Sequence, residues 1–347
     1  MNANAKVAGL DIAKSVFVVV VQDREGKRLW HRQMKRDEVL KTFRQWEPMA
    51  VGIEACAGSH YWARELIALG HDVKLIAAQH TRAFVTGNKN DTNDAAAIAE
   101  ARSRSSTKYV PINTPEQQDL QMLHRARSAL MSERVAMINR IRAFAAEYGQ
   151  VFGQGVARFR DGLVAWLADP DNGLSGSALT TFRELKEQLD DKEQRILVYE
   201  RRLNQEAKAE TAQRLMEVPG VGPLTATAVM ASMADAHHFR SGRDFAANLG
   251  LVPREHSSGG KQRLYGITCR GDSYLRTLLI HGARSALRCA GNKSDRQLRW
   301  ASSLAARRNF NVAAVALANK MARVIWAILA HGRTYLPVWS NSTARPV

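Results

Sequence analysis

The segment from Val16 to Val21, VFVVVV, constrains the fold more than any other stretch of this 347-residue chain. It is too short for a buried helix, and its β-branched composition suits a central strand covered on both faces. Ahead of it runs a second apolar stretch, Val7 to Ile12, that carries a single acid, Asp11. An acid beside a buried strand is costly unless it binds something. Two readings stand at this point. Asp11 is either a turn residue bonding its own backbone before Lys14 and Ser15, or a ligand to a cation.

Neighbouring segments extend the sheet. Val7 to Ile12, Val16 to Gln22 and Arg28 to Met34 read as three strands, the last two joined through the hairpin signal Asp23-Arg24-Glu25-Gly26. Asp37 is placed to cap a helical stretch through Val39, Leu40, Phe43 and Trp46. Ala50 to Ile53 reads as a short buried strand ending on Glu54. Gly58 to Leu69 reads as a helix closed by Gly70, and Val73 to Ala77 as another strand. Antiparallel strands followed by alternating strand and helix predict a mixed α/β sheet of the ribonuclease-H kind over residues 1–110.

Glu54 repeats the situation of Asp11, an acid at the end of an apolar strand. If the two strands are neighbours, their carboxylates converge at one end of the sheet. Asn88-Lys89-Asn90-Asp91-Thr92-Asn93-Asp94 then opens an alanine-rich helix, where Asp91 and Asp94 lie roughly 60° apart around the axis. N-capping by Asp91, with Asp94 favoured by the helix dipole, accounts for this pair on its own. It does not account for the strand-end acids upstream. Four carboxylates in the order D, E, D, D suit a two-metal phosphoryl-transfer site, in which hard oxygen ligands hold Mg²⁺ ions about 3.5–4 Å apart.

Residues 111–210 predict a helical arm. Thr114-Pro115-Glu116 is a helix start, and Leu123, Leu130, Met137 and Phe144 recur every seven residues. Leu120, Ile141 and Tyr148 occupy the companion register, and His124, Arg125, Arg140 and Arg142 mark a basic opposite face. A second heptad run, Phe182, Leu189, Ile196 and Leu203, predicts a coiled coil. Gly149 to Gly176, rich in Gly and Asp, reads as a connecting loop. The arm is either a dimerisation element with a side facing nucleic acid or a solvated helical hairpin.

Residues 211–347 carry two further motifs. Leu215 to Leu224, with Gly220 and Gly222, has the form of a helix-hairpin-helix turn, whose backbone N–H groups meet phosphate without regard to sequence. A plain tight turn is the alternative. Asn248 to Lys261 contains Ser257 and Ser258 in a Gly-flanked loop continuing through Arg263 and Gly266 to Arg270-Gly271-Asp272 and Arg276. A serine there is a phosphate ligand, a nucleophile or part of a Gly-Ser linker.

Composition bounds the partners. Lys and Arg total 50 against 33 Asp and Glu, a net charge of +17, which suits a polyanion and nucleic acid before a membrane surface. Cys56, Cys269 and Cys289 are too few and scattered for a disulfide framework or zinc cluster and fit a reducing cytosol. No signal peptide opens the chain. Val312 to Ala330 is interrupted by Asn319, Lys320 and Arg323 and so predicts no membrane span.

The motifs GLDIAKS, GIEACAGSHYWARELIALGHDV and NKNDTNDAAAIAEA resemble the first domain of the IS one-ten family of DEDD transposases. LMEVPGVGPLTATAV, ANLGLVPREHSSGGKQRLYGITCRGDSYLRTLLIHGAR and AVALANKMARVIWAILAHG resemble its C-terminal transposase domain. Within the family the IS eleven-eleven subgroup is the nearest likeness, with Piv-type DNA invertases as cousins. The resemblance implies a RuvC-like nuclease fold with metal-binding acids at Asp11, Glu54, Asp91 and Asp94, and a nucleophilic serine at Ser258. It further implies a Mg²⁺-dependent recombinase of the bacterial cytoplasm and nucleoid, guided by a structured bridge RNA that pairs with donor and target DNA. Dimers or tetramers would form composite sites, one protomer giving the acids and another the serine. Nucleic-acid contacts are expected at Gly220, Gly222, Lys261, Arg263, Arg270 and Arg276. A junction nuclease using metal-activated water and a non-catalytic basic binding protein are the alternatives; the four acids disfavour the latter.

Overall fold

The computed structural model describes residues 6–337 apart from 24, 89, 234 and 292–294. Arg24 of the hairpin signal and Lys89 of the acid-bearing segment therefore lie outside the described residues. The chain divides into two compact units, Met1–Pro115 and Glu116–Val347.

The first unit is a mixed α/β sheet with helices on its faces. Its elements in order are β1 (Val7–Asp11), β2 (Val16–Gln22), β3 (Arg28–Lys35), α1 (Val39–Arg44), β4 (Ala50–Glu54), α2 (Ser59–Ala68), β5 (Asp72–Ile76), α3 (Ala78–Thr81), α4 (Asp91–Ser103) and β6 (Tyr109–Val110). The strands form one six-stranded sheet in the order β3-β2-β1-β4-β5-β6. β1 runs antiparallel to β2 and parallel to β4, and the short edge strand β6, which the sequence did not announce, closes antiparallel on β5. The valine run behaves as its composition demands. Phe17, Val19 and Val21 enter the core shared with Val39, Phe43, Trp62 and Leu66 of α1 and α2. Val18 and Val20 face the other way, onto Ala95 of α4. At α1 the expected cap moves by one residue: Glu38, not Asp37, holds the N-cap position. Its carboxylate turns back to accept from the Lys35 N–H at 2.9 Å.

The second unit is mostly helical. It comprises α5 (Pro115–Ala146), α6 (Val156–Ala168), α7 (Gly176–Glu206), α8 (Glu210–Met216), α9 (Pro223–Ser232), α10 (Gly242–Asn248), the hairpin β7 (Pro253–Glu255) and β8 (Leu264–Ile267), then α11 (Ser273–Arg288), α12 (Arg296–Arg307) and α13 (Phe310–His331). The connection expected as a loop between residues 149 and 176 holds α6 instead. Phe159, Leu163, Trp166 and Leu167 bury the apolar side of α6 against Met137, Ile141, Phe182 and Leu189.

α5 and α7 lie antiparallel, because Arg127 bonds Glu200 and Glu133 bonds Lys192. Phe182, Leu189, Ile196 and Leu203 are all buried. On α5 Met137 is the one buried member of the seven-residue run, and Leu120 and Ile141 of the companion register are buried with it. Phe144 is 46% exposed, whereas Leu120, His124, Ile138, Ile141 and Ala145 point inward. Tyr148 lies past the helix end and is exposed. His124, expected on a basic outer face, is a buried pin hydrogen-bonded to Tyr274 and Thr227.

Among the described residues α13 is the one helix long and apolar enough to cross a membrane. Its Ala313, Leu317, Met321 and Ile325 are fully buried in the core of the second unit. Asn319 donates to the Leu251 carbonyl at 3.1 Å, and Lys320 Nζ sits 3.5 Å from the Trp300 ring centre. Two of the polar interruptions read from the sequence are thus used inside the unit, while Arg323 is exposed.

Candidate active site

The pairing of β1 with β4 places the first two acids together. Leu10 is the register partner of Ile53, so the next residues, Asp11 and Glu54, end neighbouring parallel strands side by side. Two glycines then allow α4 to lie directly on those strands. A Cβ at Gly9 would stand 2.0 Å from the Ala95 carbonyl oxygen, and one at Gly52 would stand 2.9 Å from Arg102 Cβ. The helix seated this way carries Asp91 and Asp94 in its first turn.

The capping role does not fall to Asp91. Asn90 is the N-cap, its side-chain oxygen accepting from the Asn93 N–H at 2.8 Å. Neither aspartate serves as the cap. Their influence is felt at Asp11, whose carboxyl is pushed up to about 6, first by burial and then by Asp94, Asp91 and Glu54. Like charges drawn together disfavour ionisation in this way. The neighbouring Cys56 thiol is raised as well, by burial, then Glu54, then Asp11. Glu54 is held by a residue with no sequence signal: Thr81, almost fully buried, donates its hydroxyl to Glu54 Oε2 at 2.6 Å.

Four hard carboxylates under mutual repulsion are the donor chemistry of a divalent cation such as Mg²⁺, which would relieve that repulsion. Among the described residues no group of three or more His, Cys, Asp or Glu is arranged to hold a metal ion as it stands. The acids thus share one electrostatic neighbourhood without forming a closed cage.

Ser258 lies in the second unit, and its surroundings differ from the flexible loop expected. β7 and β8 pair antiparallel, and Ser258 bridges to Lys261 across the tip, with the Lys261 N–H donating to the Ser258 carbonyl at 3.1 Å. Gly259 and Gly260 between them have φ of +57° and +73°, the two positive values that a tight type I′ hairpin turn requires. The strands escaped sequence reading because they are short, exposed and without alternation. The two serines are not equivalent. Ser257 donates to Glu255 Oε1 at 2.5 Å and accepts from the Arg263 N–H at 3.3 Å. Ser258 is exposed at the turn, and among the described residues no hydrogen bond engages its hydroxyl.

The expected nucleic-acid contacts divide in the same way. Lys261, Arg263 and Arg270 are exposed around the hairpin. Arg276 instead braces its base, donating to the carbonyls of Leu249 at 3.0 Å and Arg270 at 2.8 Å. Gly250 and Gly271, both at positive φ, interlock the segments below the hairpin; a Cβ on Gly271 would stand 1.8 Å from the Asn248 carbonyl oxygen. The turn at Gly220 and Gly222 joins α8 to α9. Gly220, at φ +90°, is pressed against α11, where a Cβ on Gly282 would stand 2.0 Å from its carbonyl oxygen. That contact gives Gly220 a packing role. Beside it α11 presents His281, Arg284 and Arg288 around one cavity. Their spacing of three and four along a helix was a signal available in the sequence.

Comparison with known proteins adds the following. A family model described as "Transposase IS116/IS110/IS902 family" matches residues 212–309, and a second, "Transposase" of the DEDD type, matches residues 8–149. The chain is 48% identical over 336 residues to a Pseudomonas aeruginosa protein named "Probable family 20 transposase", covering 96% of this chain and 99% of that one. It is 44% identical to the transposase for insertion sequence element IS1111A of Coxiella burnetii, over 95% of this chain and 91% of that one. It is 38% identical to the transposase for IS1328 of Yersinia enterocolitica, over 96% of this chain and 99% of the relative.

Proposed function

Because the chain belongs to the IS116/IS110/IS902 transposase family, and so is an insertion-sequence DNA recombination enzyme, we propose that it breaks and reseals strands through a seryl–DNA intermediate on Ser258. Asp11, Glu54, Asp91 and Asp94 are the residues that would hold Mg²⁺, on a sheet we read as RuvC-like. The observation that carries the choice of serine is the contrast at the hairpin tip. Ser257 spends its hydroxyl inside the hairpin, whereas Ser258 is exposed with its hydroxyl unengaged among the described residues.

The chemistry is reversible by construction. Ser258 Oγ attacks phosphorus and releases its proton; a phosphoester to serine forms, and the P–O bond to the leaving sugar oxygen breaks as that oxygen takes up a proton. The reverse reaction, with a different sugar hydroxyl as the attacking group, joins a new strand without nucleotide hydrolysis. Mg²⁺ bound by the carboxylates would neutralise charge on the phosphate under attack. Thr81 holds the Glu54 carboxylate in one orientation. The motif resemblance implies a composite site in a dimer or tetramer, one protomer giving the acids and another Ser258. The division we favour is residues 1–110 for the acid domain, 111–210 for an arm and 211–347 for the serine domain. Guidance by a bridge RNA pairing with donor and target DNA in the bacterial cytoplasm completes the reading; it rests on the motif resemblance alone.

The test is to quench the reaction of the full chain in denaturant, digest the protein and identify the peptide that carries DNA. The Ser258 peptide is expected. Ser258→Ala should lose adduct and strand exchange yet bind nucleic acid normally. Cleavage by Ser258→Ala, with no adduct from the wild type, would instead establish a nuclease using water. RNA copurifying with the protein, once sequenced, tests the guide; sequence-specific DNA binding by RNA-free protein would remove it.

A further inference from the structure

The described surface of the first unit has a cleft that the acids do not explain. A cavity of ≈ 710 Å³ is lined by Lys14, Lys35, Arg36, Asp37, Tyr61 and Trp62, among others. Its place follows from the register. Lys14 lies three residues beyond Asp11, and Lys35 pairs with Val16 at the start of β2. β1 ends, β2 begins and β3 ends at this edge, and the first turn of α2 brings Tyr61 and Trp62. The cleft therefore opens at the end of the sheet to which Asp11 and Glu54 are delivered.

Its chemistry combines fixed positive charge with a free aromatic face. Arg36 lies over the rings of Trp62, at 5.0 Å, and Phe17, at 5.8 Å. Such stacking orients a guanidinium plane while its edge N–H groups stay available. Among the described residues no side-chain hydrogen bond or ion pair occupies Lys14, Lys35 or Arg36. Asp37 is the sole acid facing three cations across the cavity. Tyr61 is 42% exposed, although it packs edge-on against the buried Trp62. A core role would bury Tyr61, and a mere solvated charge run would not present an aromatic face among its cations.

We propose that this cleft is a subsite for single-stranded DNA, with Lys14, Lys35 and Arg36 on consecutive phosphates and a base stacked on Tyr61. It would lead a strand to the carboxylates at the same edge. Phosphates need the cations, and an unpaired base needs an open π-face, which a base inside a duplex does not require. This deepens the transposase reading above and rests on it for the choice of DNA.

Binding separates the two. A fluorescent single-stranded DNA of about 20 nucleotides is titrated with full-length protein in EDTA, so that neither the metal nor Ser258 chemistry contributes. Tyr61→Ala should weaken binding roughly 5- to 150-fold, the range expected for losing one base–aromatic stack, while duplex affinity stays unchanged. Lys14→Ala with Lys35→Ala should reduce the slope of log affinity against log salt by about 1.4. Circular dichroism and thermal unfolding should match the wild type, since all three side chains are exposed. Unchanged single-strand affinity and salt slope in folded variants would overturn the subsite and leave the recombinase standing. An effect confined to a single-stranded RNA probe would overturn the assignment to DNA. Failure of the seryl adduct, with these binding losses intact, would overturn the recombination chemistry alone.

Discussion

Gly9 and Ala95 meet backbone to backbone: a side chain on Gly9 would begin 2.0 Å from the Ala95 carbonyl oxygen and 2.6 Å from the Ala99 nitrogen. This contact seats α4 on β1 and so fixes where Asp91 and Asp94 stand. The obstructing atoms belong to a helix backbone and cannot rotate aside. Gly9→Ala should therefore destabilise the first unit by about 1–3 kcal/mol, the usual cost of overpacking. Strand cleavage should fall further than the folded fraction does. Thermal unfolding, with cleavage assayed well below the midpoint, checks this. Full cleavage by folded Gly9→Ala would show that the acids do not depend on how α4 is seated.

The raised carboxyl of Asp11 gives a pH signature. Its folded value is about 6 against an ordinary 3.8, so in metal-free protein the folded state favours the protonated acid. The associated stability is fully present below about 3.8 and is lost as pH rises through about 6. The side chain is only half-buried, so solvent screening limits the effect to about 2 kcal/mol at most. Asp11→Asn should accordingly raise the melting temperature at pH 7.5 in EDTA and leave it unchanged near pH 4. Added Mg²⁺ should stabilise the wild type more than the variant at the higher pH. Identical melting curves for the two proteins at pH 7.5, with and without Mg²⁺, would mean that the four acids do not interact.

His124 predicts the opposite pH trend in the second unit. Burial, followed by the Arg127 charge, lowers its value to about 4, and its ring nitrogens face Tyr274 at 3.0 Å and Thr227 at 3.1 Å. The neutral ring is the folded form. Stability from this pin is present above about 6.5 and is lost as pH falls through about 4. Across that window the wild type should lose up to about 3 kcal/mol more than His124→Gln. At neutral pH His124→Ala should cost about 1–3 kcal/mol, since Tyr274 and Thr227 lose a partner. Denaturant titrations at pH 7.5 and 4.5 measure both. Parallel acid sensitivity in the wild type and His124→Gln would place the proton elsewhere.

The sheet was legible because its information is local. A valine run between turn signals admits few structures, and Asp11 and Glu54 are conspicuous as the acids that end apolar strands. Asn90 could not be chosen over Asp91 as the cap, since several capping residues crowd one turn. α6 was hidden by the Gly and Asp that flank it, although Phe159, Leu163 and Trp166 keep helical spacing. His124 misled because a heptad reading of α5 assigns faces by repeat. The buried face is instead chosen by α9, α11 and α7, which supply Thr227, Tyr274 and the Arg127 partner Glu200. Thr81 and the cleft at Tyr61 exist only once distant segments meet, so neither leaves a trace in sequence.

The hairpin at Ser258 contains a second geometry that resembles activation: Ser257 bonded to the carboxylate of Glu255 at 2.5 Å. A serine bonded to a base is one form of nucleophile, yet this hydroxyl also accepts the Arg263 N–H that holds β8 in register. Ser257→Ala should cost the hairpin about 0.5–1.5 kcal/mol and slow adduct formation less than tenfold, with the adduct still on Ser258. Gly260→Val tests the turn itself. At φ +73° a β-branched residue is strained by about 1–2 kcal/mol, and the exposed hairpin is free to deform without unfolding the helices beneath it. Its melting temperature should stay near that of the wild type while single-turnover adduct formation drops at least tenfold. If Gly260→Val kept the full rate and Ser257→Ala abolished it, Ser257 with Glu255 would be the nucleophilic pair and Ser258 only part of the turn.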